Sequence, residues 1–246
     1  LSFIPSAALG PLHVFFELLG YLAGTVLYLR ARRKSGDFLP DSLRSTAVCA
    51  AFVGAALGSR LLACLEHPES FRWSALFLFD GGRTILGGIL GGWIAVEAVK
   101  LRYNIHCRTG DLFVTPLIVG LIVGRIGCFV AGVADNTFGS PTTLPWGIDF
   151  GDGLARHPLP VYEILFLLFY LLLAREVAWP LLNGDRFRLF VFSYFSLRFG
   201  LEFLQDSPRL LGLDALQWAC LAGLLWSAPT VLGIVRRYPH PATGTS

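Results

Sequence analysis

Tyr194, Arg198 and Glu202 fall at i, i+4 and i+8, so a helix carries them on one stripe. His13, Glu17 and Tyr21 repeat that spacing near the start of the chain. Arg60, Arg125 and Glu163 also stand within long apolar runs, and Glu97 lies near the end of another. An ionisable group in hydrocarbon is costly, so each of these is a functional candidate by default. Guanidinium grips phosphate through paired N–H groups and stays charged where the dielectric is low. Three arginines among carboxylates therefore suit the phosphate of a lipid. The competing account is structural Arg–Glu pairing between helices, and the gathering of the whole set at one depth favours a site.

The elements that must position these residues are membrane helices. Hydrophobic types make up 54% of the 246 residues and charged types 15%, against roughly a quarter in soluble domains. Mean hydropathy is +0.61. The apolar residues lie in runs long enough to cross about 30 Å of hydrocarbon, which takes ~20 helical residues. Runs at about 9–29, 45–65, 84–100, 112–134, 159–180, 187–205 and 212–235 predict an all-α integral membrane protein of about seven transmembrane helices. A shorter stretch, Ser74 to Phe79, ends at Asp80-Gly81-Gly82-Arg83 and reads as a re-entrant or interfacial segment. The chain reads as one domain over residues 1–246, with a frayed tail from about 239 and no cleavable leader.

Loop charge sets the direction. Arg30, Arg32, Arg33, Lys34 and Arg44, then Lys100, Arg102 and Arg108, then Arg175, Arg186 and Arg188, then Arg236 and Arg237 fall on one side. The opposite loops hold Arg72, Arg156 and Arg209, with Arg83 at a span edge. The basic side should be cytoplasmic, which places the N-terminus outside and the C-terminus inside. On that reading His13, Glu17, Arg60, Arg125, Glu163, Arg198 and Glu202 share the outer half of the bilayer, and only Glu97 lies near the cytoplasmic end. An inner half nearly free of charge argues against a channel.

The net charge of +3 sits in loops beside apolar runs and gives no reason to expect nucleic acid as a partner. Cys49, Cys64, Cys107, Cys128 and Cys220 show no paired spacing, so neither a disulfide framework nor a metal site is expected, and no cofactor is called for. Glycines four apart, at 20/24, 54/58, 87/91, 88/92 and 120/124, read as helix-packing positions and not as a phosphate loop.

Several ordered motifs resemble the prolipoprotein diacylglyceryl transferases. They are Gly58-Ser59-Arg60-Leu61, Gly124-Arg125-Ile126-Gly127-Cys128-Phe129, the stretch Gly139 to Gly147, Arg156-His157-Pro158, Tyr162-Glu163, and Tyr194 to Phe203. The resemblance covers about residues 12 to 235. It implies seven helices, an outside N-terminus and a multi-pass protein of the bacterial inner membrane. It also implies an activity, the transfer of diacylglycerol from phosphatidylglycerol or a related phospholipid to the lipobox cysteine of a preprolipoprotein. Arg125 and Arg198 occupy the positions expected to hold the headgroup. Arg60, Tyr194, Glu202, Glu163, His157 and Glu17 are the expected substrate-binding set.

The chain departs from the family pattern at several places. Leu86 stands where the family has a histidine proposed for proton transfer, before Gly87-Gly88. Cys128 replaces an asparagine, Ala131-Gly132-Val133 replaces Asn-Gly-Glu, Pro160 replaces a glutamine and His13 replaces the first-helix tyrosine. Three accounts follow. Another histidine has taken over, with His13 the best candidate and His157 in the outer loop; the acceptor differs; or the protein only binds or transports lipid. Asp135, Asn136 and Thr137 read as a solvated loop in preference to the lining of the site's mouth, and Trp146 as an interfacial residue of the outer loop.

Overall fold

The computed structural model describes residues 6–35, 40–66, 82–132, 137–176, 181–205, 207 and 209–237, with the side chains of 6–11, 13, 35, 175 and 176 left aside. Among these residues there are seven α-helices: α1 (Ser6–Ser35), α2 (Asp41–Glu66), α3 (Ile85–Arg102), α4 (Val114–Ala131), α5 (Leu159–Glu176), α6 (Asp185–Leu201) and α7 (Ala215–Arg237). Four helical stretches are long and apolar enough to cross a membrane: Val14–Lys34, Asp41–Glu66, Asp111–Ala131 and Ala215–Arg237. Leu159–Ala174 is a shorter apolar helix. The stretch Ser74 to Phe79, Asp80, Gly81, Asp135, Asn136 and the tail from Pro239 lie outside the described residues.

The surface is turned inside out relative to a soluble domain. Phe15, Leu18 and Leu22 of α1, Phe52 and Leu57 of α2, Phe169 and Leu172 of α5, and Leu225 and Val235 of α7 are all exposed. Contiguous apolar faces of this extent are unfavourable in water and suit a lipid solvent.

Glycine pairs hold the helices together, as their spacing predicts. A Cβ at Gly20 would sit 2.9 Å from the Gly120 carbonyl oxygen, and one at Gly24 3.3 Å from that of Pro116, so α1 lies against α4. At the α2–α3 contact, Cβ atoms at Gly54 and Gly58 would run into the carbonyl oxygens of Gly91 and Gly87. Backbones this close gain dispersion contact that lipid tails cannot supply. Gly124 is an exception, because nothing lies within 4 Å of its missing Cβ. A buried apolar core joins α3 to α7 through Leu86, Trp93, Ile118, Leu167, Phe190 and Cys220.

The helix ends extend beyond the apolar runs. Arg30, Arg32, Arg33 and Lys34, read as loop residues, ride on the last turns of α1, and Arg44 is buried on the first turn of α2. Polar residues with good helix propensity continue the ladder past the apolar stretch. Glu97, near the end of α3, accepts from Lys100 Nζ at 2.8 Å.

Between α4 and α5 runs a small antiparallel hairpin, β1 (Ile148–Asp149) with β2 (Ala155–Arg156), which pairs Ile148 with Arg156. Asp149 Oδ1 closes its turn by accepting from Gly151 N at 2.8 Å and Gly153 N at 3.1 Å. Arg156 Nε donates to Asp152 Oδ2 at 2.6 Å and holds that carboxyl below its usual range.

Candidate functional site

Three helices converge on one carboxylate. Glu163 lies near the start of α5, where Pro158 precedes the first turn, and it is fully buried. Arg125 comes late in α4, and Tyr194 and Arg198 come from α6; all three are buried. Glu163 Oε2 accepts from Arg125 Nε at 2.9 Å and from the Tyr194 hydroxyl at 2.7 Å. Its Oε1 accepts from Arg198 Nη1 at 2.7 Å and from Arg125 Nη2 at 2.9 Å. A second Arg198 nitrogen, Nη2, bonds Glu202 Oε1.

The stripe predicted for Tyr194, Arg198 and Glu202 is therefore real, with one adjustment. The α-helix ends at Leu201, and Glu202 begins a 3-10 turn that runs to Leu204. The tighter turn still leaves its carboxylate beside Arg198. Two guanidiniums thus share one carboxylate, and each keeps N–H donors beyond those bonds, since a guanidinium has five. Arg125 Nη1 has the Cys128 sulfur 3.9 Å away, a long contact to a weak acceptor.

The α4–α5 connection is stitched to the 3-10 turn that follows α6. Ser140 N donates to the Leu204 carbonyl at 2.6 Å, and Gly139 N donates to the His157 carbonyl at 2.9 Å. A Cβ at Gly139 would lie 2.8 Å from His157 Cβ and 2.9 Å from Leu204 O, so only glycine allows both bonds there. His157 Nδ1 pairs with the Tyr162 hydroxyl at 3.1 Å, and Trp146 Nε1 donates to the same hydroxyl at 2.9 Å. Trp146 itself stands exposed.

Of the residues singled out from sequence, Arg125, Glu163, Tyr194, Arg198 and Glu202 come together in direct contact. Glu17, Arg60 and His157 are not among the partners that Glu163 bonds. Glu17 accepts from Arg83 Nη1 at 2.7 Å and from the Tyr21 hydroxyl at 3.0 Å. Arg60 is half-buried on α2. His157 belongs to the loop network, and the side chain of His13 lies outside the described ones. Leu86, at the family's histidine position, is buried in the apolar core.

Sequence reasoning missed Asp214. Its Oδ1 accepts from Gln217 N at 2.6 Å, and Gln217 Oε1 accepts from Asp214 N at 3.0 Å, a reciprocal cap on α7. The Asp-x-x-Gln spacing before an apolar run was the available signal. Its Oδ2 and the Oε2 of Glu202 are both buried without a partner among the described residues. Glu163 thus bonds both arginines and Glu202 bonds Arg198, whereas the hydrogen bonds of Asp214 go to the α7 cap.

The family model for prolipoprotein diacylglyceryl transferase matches residues 12–234. A phosphatidylglycerol–prolipoprotein diacylglyceryl transferase of Nitratidesulfovibrio vulgaris (strain DP4) is 30% identical, over 96% of this chain and 94% of its own length. The protein of the same name from Bordetella parapertussis is 29% identical over 93% of this chain and 94% of its own. The protein of that name from Wolbachia sp. subsp. Brugia malayi (strain TRS) is 31% identical over 93% of this chain and 91% of its own. The chain belongs to the prolipoprotein diacylglyceryl transferase family.

Proposed function

We propose that this member of the prolipoprotein diacylglyceryl transferase family moves the diacylglyceryl group of phosphatidylglycerol to a cysteine thiol of a prolipoprotein. The carrying observation is Glu163, which braces Arg125 and Arg198 on one carboxylate and leaves further N–H donors on each. A pair of guanidiniums fixed in advance stabilises charge that develops on a leaving phosphate, without reorganising during the reaction.

The step breaks the C–O bond between diacylglyceryl carbon and phosphate oxygen and forms a C–S bond to the cysteine. Glycerol 1-phosphate leaves, and its new charge falls to Arg125 and Arg198. The thiol proton goes to a base, because thiolate is the nucleophile. Glu163 and Tyr194 orient the guanidiniums. Two groups are assigned as alternatives for the proton, His13 on α1 and Glu202, whose Oε1 bonds Arg198 and whose Oε2 has no partner among the described residues. Arg60, Glu17 and His157 line the approach of the substrates.

The orientation follows the loop charges, with all seven helices spanning, the N-terminus outside and the Glu163 cluster toward the outer leaflet of the bacterial inner membrane. That depth meets both a membrane lipid and an exported acceptor.

A second reading has one observation in its favour. Leu86 sits in an apolar core where the family has a proton-transfer histidine, which suits a protein that binds lipid without turning it over, or one with a different acceptor. Purified protein given phosphatidylglycerol and a lipobox peptide separates these readings. The transferase yields thioether-linked peptide and glycerol phosphate. Retained phosphatidylglycerol with neither product would replace it with the lipid-binding reading; glycerol phosphate without lipidated peptide would indicate another acceptor. Loss of product in His13→Ala but not in Glu202→Gln, or the converse, identifies the base.

A further inference from the structure

Arg108, Arg188 and Arg237 line a cavity of about 320 Å³ together with Asp185, Thr230 and Pro229. It lies where the α3–α4 connection, the start of α6 and the end of α7 meet. Arg188 precedes Arg198 by ten residues on α6, which separates the two by about 15 Å along a helix rising 1.5 Å per residue. The cavity is therefore distinct from the Glu163 cluster.

Its charge is unbalanced. Asp185 is 1% exposed, and both its oxygens are taken. Arg108 Nη1 donates to Oδ1 at 2.7 Å, and Arg237 Nη2 to Oδ2 at 2.6 Å. The Leu182 amide adds a bond to Oδ2 at 3.0 Å. Arg188 is left to a neutral acceptor, the Thr230 hydroxyl, at 3.0 Å. The other carboxylate acting on Arg188, Glu97, is bonded to Lys100. Among the described residues, three guanidiniums thus face one cavity lined by a single, saturated carboxylate.

The local backbone is shaped to bring the arginines there. Gly184 has φ +84°, and a Cβ at that residue would collide with the Cβ and side-chain stem of Arg108. Only glycine lets Arg108 lie across the turn to reach Asp185. The amides of Gly184 and Phe187 are already taken by Asp111, at 2.7 Å and 3.1 Å, so the helix end offers an anion little and the guanidiniums carry the site.

We propose that this cavity is a second phosphate site, for a dianionic or monoanionic phosphate supplied by a lipid headgroup or by a free phosphate. Arg108 and Arg188 close on the phosphate oxygens while Asp185 fixes Arg108 and Arg237 in place. A basic pocket between helices at a membrane surface has this chemistry. The assignment does not depend on the transfer reaction, so its test and that of the reaction fail separately.

The test uses the full chain in nanodiscs and phenylglyoxal, which modifies arginine, read peptide by peptide. Three conditions are compared: phosphatidylcholine alone, phosphatidylcholine with inorganic phosphate, and phosphatidylcholine mixed with phosphatidylglycerol. Arg108 and Arg188 should react about tenfold more slowly when a probe is present at about ten times its Kd. Slowing only with phosphatidylglycerol assigns the lipid headgroup; slowing with inorganic phosphate too assigns the free anion. Arg102, exposed at the end of α3 and outside the cavity, is the reference. Equal rates in all conditions, or equal slowing at Arg102, would overturn the proposal. In Arg188→Gln the protection of Arg108 should disappear, and its persistence would show that the two arginines do not share an anion. The wild-type comparison stands alone if that variant does not fold.

Discussion

Arg125 and Glu163 meet as two parallel forks, Nε to Oε2 and Nη2 to Oε1, both at 2.9 Å. The two residues are 38 apart in sequence and lie on adjacent helices. A planar guanidinium held this way has its remaining N–H groups fixed in direction, which a lysine ammonium does not achieve.

Glu163→Gln should lower stability by about 3–5 kcal/mol, because it leaves two buried guanidiniums without their shared partner. Thermal unfolding in detergent measures this. Combining it with Arg125→Gln should recover part of the loss, since the residues are coupled. Strict additivity of the two changes would show that the fork does not hold the helices.

Arg198→Lys keeps the charge and loses the fork. One ammonium cannot reproduce the bonds from Nη1 to Glu163 and from Nη2 to Glu202. Turnover of phosphatidylglycerol should fall by about 10²-fold or more, the loss typical when an oriented donor to a developing anion is removed. Initial rates of glycerol phosphate release measure this, and a rate near wild type would show that charge alone suffices.

Leu86→His restores the family's residue type without its surroundings. Leu86 is 1% exposed among apolar side chains, so the imidazole would be buried without a partner. Stability should drop by about 1–3 kcal/mol. No gain in turnover should accompany it. A rise in rate would mean that the histidine reaches the reacting thiol.

Gly58→Ala tests the contact between α2 and α3. The added methyl meets the Gly87 carbonyl oxygen, and the two backbones must separate. Overpacking of this kind typically costs about 1–3 kcal/mol. Gly124→Ala, with open space at its Cβ, should be neutral by the same denaturation measurement.

The hairpin and loop contacts were hard to read from sequence. Gly139-Ser140-Pro141 stood out as a family-like motif, but the need for glycine comes from Leu204 and His157, residues distant in sequence that press on that backbone. Asp214 escaped notice because an Asp-x-x-Gln cap is a short-range signal, common and easily overlooked beside long apolar runs.

The sequence alone determined the class of protein and its costly residues. Runs of about 20 apolar residues need a bilayer. Ionisable groups inside them must have partners. Helical periodicity put Tyr194, Arg198 and Glu202 on one stripe, and glycine spacing marked where α2 meets α3. These properties depend on neighbours within a turn or two of one helix. Only the tertiary structure decided which charges pair. From depth alone, Glu17, Arg60 and Glu163 were equivalent candidates. Packing of α4, α5 and α6 brought Glu163 to two arginines and a tyrosine, whereas α1 carried Glu17 to Arg83. Depth is set by position along one helix, but partnership is set by the rotation of each helix against its neighbours. That rotation comes from side-chain packing across the whole bundle, which no local spacing encodes.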